Sequence, residues 1–132
     1  MDDKIFLSPN DIYTYYKLNE GYMGGMLNED ASIAFERLAD RLDTIETTCS
    51  NLFKKGDERS QEEETLYQKC FKNLVEETSF GLWSYDDHTL IGEFERVSQE
   101  PNLDSNQTIL KESLTSVIKR KGLELPQVGR SI

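Results

Sequence analysis

The residues best suited to chemistry lie in one stretch, SYDDHTLIGEF, residues 84–94. It holds His88, the sole histidine, and histidine is the side chain whose ordinary pKa suits proton or group transfer near neutral pH. On a helix at about 100° per residue, Leu90, Ile91, Phe94 and Val97 fall on one side. His88, Gly92, Glu95 and Gln99 fall on the other. His88 is therefore expected to face water, with Gly92 one turn on leaving its imidazole unobstructed.

The run His88-Thr89-Leu90-Ile91-Gly92 resembles the H-x-L-x-G core of histidine phosphotransfer domains. Those are four-helix bundles in which an exposed histidine accepts a phosphoryl group from an aspartate of a receiver domain. The resemblance covers five residues of 132. It implies His88 as phosphoacceptor, Leu90 as the buried leucine and Gly92 as the clearing glycine. The chain departs from the family at Ile91, where a lysine usually stands, and in EFERV, which replaces the small residues expected after the glycine. Asp86, Asp87, Glu93 and Glu95 would crowd a phosphoryl group that itself carries about −2. The residues by themselves read as an ordinary surface histidine, with phosphotransfer as an alternative.

Other chemistry lacks its parts. Metal sites in helix bundles use inward Glu-x-x-His pairs, and the residue three before His88 is Tyr85. QEEET, residues 61–65, reads as the acidic first turn of a helix rather than a calcium loop. Gly21, Gly24 and Gly25 have neither the G-x-G-x-x-G spacing nor the Gly-Lys-Ser/Thr ending of a phosphate cradle. A Cys-His nucleophile pair needs an exposed thiol, whereas Cys49 and Cys70 both fall on apolar stripes. No cofactor, no metal and no enzymatic activity are expected.

The elements that would position these residues are helical. Ser8, Pro9 and Asp11 read as a helix start, giving a short N-terminal helix over 9–20 that ends at Gly21. Over 29–55, Ala31, Phe35, Leu38, Leu42, Ile45, Cys49 and Leu52 repeat at alternating spacings of four and three, an a/d seam. Lys54, Lys55 and Gly56 suit its end. Ser60 and Glu63 form the capping box of a helix over 61–79. So short a turn folds the two helices antiparallel, and the register then sets Cys49 opposite Cys70. Two reduced thiols in a core are the expectation there, a redox-responsive disulfide the alternative.

Gly81 breaks the pattern, Trp83 reads as a plug at the end of the bundle, and Ser84 with Asp87 reads as the next cap. A helix over 85–99 and another over 105–121 follow, the latter closed by Gly122 and Leu123 in a Schellman turn. No alternating strand pattern is present. The fold expected is all-α: an antiparallel bundle of four main helices plus the short N-terminal one, as one domain over 1–122 with a tail over 123–132.

Charge bounds the partners. Twenty-five acids against 15 bases give −10, which opposes direct contact with nucleic acid or anionic lipid. No apolar run approaches the ~20 residues of a membrane span, and the acidic MDDKIFLSPN start is unlike a secretory signal. An intracellular, cytoplasmic location and no membrane insertion are expected. The function expected is a non-catalytic acidic interaction module, an adaptor, assembly factor or regulator that binds another protein, with the charge favouring a basic one. Tyr13, Tyr15, Tyr22, Met23 and Met26 are the candidate contact residues, since aromatics and methionines are favoured at binding surfaces. An acidic inhibitor, of the immunity or nucleic-acid-mimic kind, is the alternative. A homodimer through the Phe35–Leu52 seam is a further option.

Overall fold

Residues 6–23, 25 and 28–126 are described by a computed structural model, Tyr22 and Met23 as backbone only. The chain forms α1 (Pro9–Met23), α2 (Glu29–Lys55), a short 3₁₀ turn η1 (Gly56–Glu58), α3 (Gln61–Leu82), α4 (Asp87–Ser98) and α5 (Ser105–Arg120). No strand occurs among the described residues, and the fold is an all-α helical bundle. It divides into two compact units, Met1–Asn73 and Leu74–Ile132, with the boundary inside α3.

In the first unit each helix start is fixed by local chemistry. Ser8 Oγ accepts the Asp11 N–H at 3.1 Å while Asp11 Oδ2 accepts the Ser8 N–H at 3.0 Å, a reciprocal cap for α1. Asn28 Oδ1 accepts the Ala31 N–H at 2.8 Å and caps α2. Ser60 and Glu63 exchange the same pair of bonds at α3, at 3.1 and 3.0 Å, as their spacing predicts. Of the a/d seam of α2, Leu38, Leu42, Ile45, Cys49 and Leu52 are buried, and Ala31 and Phe35 are half-buried.

The link between α2 and α3 is held by charge and by one glycine. Gly56 takes φ 54° and ψ −127°, which costs glycine little and any other residue much, and its N–H bonds back to Phe53 O. Lys55 pairs with Glu63 across the turn. Arg59 does three things at once: its Nε donates to Glu64 at 2.6 Å, its Nη1 donates to Leu52 O at 2.8 Å, and its guanidinium lies 4.3 Å from the centre of the Tyr67 ring. The guanidinium thereby satisfies one of the carbonyls that the end of α2 leaves free.

In the second unit Leu82, Leu90, Phe94, Val97, Leu114, Val117 and Ile118 form one buried cluster. Full burial of a side chain such as Leu90, Leu114 or Ile118 contributes about 1.5–3 kcal/mol. Asp104 and Gln107 make a complete capping box at α5. At the other end Gly122 sits at φ 76°, its N–H bonds to Lys119 O, and the Leu123 N–H reaches Ile118 O at 3.0 Å. That is the Schellman pattern expected there. Leu123 and Leu125 pack against the cluster, so the first part of the tail is docked.

Four local expectations are corrected. Gly21 lies inside α1 rather than ending it, and Gly81 lies inside α3, which continues to Leu82. A glycine inside a helix costs about 1 kcal/mol, and in α3 the buried Leu82 in the final turn offsets it. The cap of α4 is Asp86 rather than Ser84, its carboxylate accepting the Thr89 N–H at 2.7 Å, so the helix starts at 87. Trp83 does not plug the bundle: it is 50% exposed.

Candidate functional site

The turn between α3 and α4 is where surface chemistry collects. Leu82 and Leu90 are both buried, and every residue from 83 to 89 between them is exposed. With its two ends anchored in the core, the turn points its own side chains outward. The Trp83 N–H is held by Ser79 O at 3.1 Å and the Tyr85 N–H by Leu82 O at 3.0 Å, which fixes the backbone that carries the rings. Phe80, Trp83 and Tyr85 are 43%, 50% and 46% exposed.

Lys121, just past the last residue of α5, reaches over this turn. Its ammonium lies 5.4 Å from the centre of the Trp83 ring and donates to the Tyr85 carbonyl at 2.9 Å. Asp86 is close by. Its carboxyl is held below the usual range, chiefly because it accepts the Thr89 backbone N–H, with smaller contributions from the charges of His88 and Lys121.

His88 is the second residue of α4 and is exposed, as its helical position predicts. A Cβ added at Gly92 would meet nothing within 4 Å, so the surface there is open. Ile91 packs against the buried cluster, so the position where the phosphotransfer family carries its lysine is turned into the core. Of the acids beside it, Glu93 is engaged by Arg96 at 2.7 Å.

Cys49 and Cys70 are both buried and are not joined in a disulfide. Burial, and then the neighbouring Cys49, push the Cys70 thiol up to about 11. The interaction agrees with the register that sets the two opposite each other. Among the described residues no group of three or more His, Cys, Asp or Glu is arranged to hold a metal ion. No described helix is long and apolar enough to cross a membrane.

The candidate contact residues of the N-terminal segment are divided. Tyr13 is half exposed, with the Lys17 ammonium 5.7 Å from its ring centre. Tyr15 is stacked on Phe35 at 5.3 Å and 15°, and Tyr16 meets it edge-on at 5.5 Å. Tyr15, half-buried, therefore joins α1 to α2. The side chains of Tyr22 and Met23, and the whole of Met26, lie outside the described residues.

Sequence reasoning missed the Phe80–Tyr85 aromatics as a surface because large apolar side chains default to the core. That rule runs one way only. The signal that could have found them is the polar run Ser84, Asp86, Asp87 and His88 interleaved with the rings. Comparison of the chain with protein-family models, with curated proteins and with solved structures gives no match.

Proposed function

We propose that this chain is a non-catalytic, acidic interaction module that binds a basic protein partner through the turn between α3 and α4. One observation carries the reading: Phe80, Trp83 and Tyr85, three large aromatic side chains within six residues, are each more than two-fifths exposed. Aromatic residues are enriched at protein interfaces because they bring large contact area at low conformational cost. The adjoining Asp86 and Asp87, both exposed, favour a partner of opposite charge. An intracellular setting belongs to the same reading, since there thiols such as Cys49 and Cys70 stay reduced.

The test is a tagged capture from native extract at ~0.1 M and ~0.5 M salt, run beside a Trp83→Ser/Tyr85→Ser double variant. A captured protein, once purified, should bind the wild type directly and lose most of its affinity for the variant. Retention at the higher salt is expected if the rings supply the binding. Undiminished binding to the double variant removes the site, and an empty capture removes the reading. A basic partner that ignores the rings and dissociates at the higher salt supports the acidic inhibitor instead.

A further inference from the structure

The same turn carries a feature that an apolar patch alone does not explain. Resting on the reading above, we infer that Trp83, Tyr85 and Asp86 form a binding site for an organic cation. The chain's own Lys121 occupies it at rest, and a lysine or arginine of the partner takes its place.

Two ligands for an ammonium converge there, and a carboxylate adjoins them. The face of an indole attracts a cation through its quadrupole, and tryptophan does so best of the aromatic side chains. The Tyr85 carbonyl accepts one of the three ammonium hydrogens at 2.9 Å. The exposed Asp86 carboxylate, on the residue next to Tyr85, brings opposite charge to the same turn. All three sit on a backbone fixed by the end of α3 and the cap of α4, so the site does not have to be assembled when a ligand arrives.

Lys121 shows what chemistry the site takes. It is also an exchangeable occupant. Its contacts are made to exposed residues, so water can replace them when it leaves, and its backbone is held by the Schellman turn whether or not its side chain is docked. The Arg59–Tyr67 pair is different in kind: that ring is buried, and the guanidinium also binds Glu64 and Leu52. The Lys17–Tyr13 pair joins residues one turn apart on α1, at 5.7 Å. Neither offers an exposed ring, a carbonyl and a carboxylate together.

Trp83 is the sole tryptophan, so its fluorescence reports this site and no other. The probes are hexa-arginine and hexalysine, with hexaglutamate as control, titrated into the full chain and into two variants of equal charge change, Lys121→Met and Lys119→Met. The expected result is a saturable change in Trp83 emission with the cationic peptides and none with hexaglutamate. Vacating the ring by Lys121→Met should tighten binding roughly three- to fivefold more than Lys119→Met, the range of an exposed cation–ring contact. Equal effects of the two variants would mean that only net charge matters and would overturn the inference, as would a silent tryptophan. Failure here leaves the capture experiment untouched, so the two proposals fall separately.

Discussion

The Asn73 carboxamide reads both main-chain groups of Leu7. Its Nδ2 donates to Leu7 O and its Oδ1 accepts the Leu7 N–H, each at 2.8 Å and each buried. Together with Arg41 Nη2, which donates to Phe6 O at 2.6 Å, it ties the segment before α1 to the body of the first unit. Leu7 is buried beneath this contact. Asn73→Ala would leave a buried donor and a buried acceptor unpaired, at about 1–3 kcal/mol each before relaxation. A loss of about 2 kcal/mol is expected as a lower urea midpoint at unchanged slope. A loss under about 0.5 kcal/mol would show that Leu7 and Arg41 hold the segment without it.

The thiols give a prediction with a sign. Burial raises the Cys70 pKa to about 11 from the ordinary thiol value, so almost no thiolate, the reactive form, exists near neutral pH. In the folded chain Cys70 should react with iodoacetamide at pH ~8 at least tenfold more slowly than after unfolding in urea. The raised pKa also means that this group's contribution to stability is complete below about pH 9 and is lost as pH rises toward 11. Rapid labelling of native protein would show that the interface between α2 and α3 opens readily.

How much was legible in the sequence follows from how local each signal is. The seam of α2 repeats over a 27-residue helix, and long periodic patterns leave little freedom in phase. Ser8–Asp11 and Ser60–Glu63 are three-residue devices and appear as read. The Asn73–Leu7 contact spans 66 residues, and nothing near Asn73 announces it. Trp83 is hard to place from sequence for a related reason: side-chain size alone does not say on which side of a turn a residue falls. The buried Leu82 and Leu90 decide that, and their burial is a property of the folded unit. His88 was legible because helical phase alone places it outward.

The acid limb of stability should belong in part to Asp11 and Asp86. Asp11 is held low first by the Ser8 backbone N–H, against a desolvation that opposes it, and Asp86 first by the Thr89 N–H. Depressed carboxyl pKa values contribute stability that is present above the unfolded value, near 3.9, and lost as pH falls through the folded one. Asp86→Asn keeps the α4 cap, since asparagine caps as well as aspartate, while removing the titration. Its melting temperature should match the wild type near pH 7 and fall less steeply below about pH 4. An identical acid limb in wild type and variant would show that other carboxylates set it.

Trp83 offers the sharpest choice between a packed and a displayed ring. A tryptophan plugging a bundle would cost about 3–5 kcal/mol on truncation. At 50% exposure, with the Lys121 ammonium over one face, the ring supports little of the core. Its removal should cost no more than an exposed cation–ring contact, about 0.5–1 kcal/mol. Trp83→Leu is therefore expected to unfold close to the wild-type midpoint in urea. Before substitution, the emission of this single tryptophan should already lie toward the red, as for an indole in contact with water. A loss above about 2 kcal/mol, or blue-shifted emission in the native chain, would return Trp83 to the core. Phe80 and Tyr85 would then have to carry the proposed surface without it.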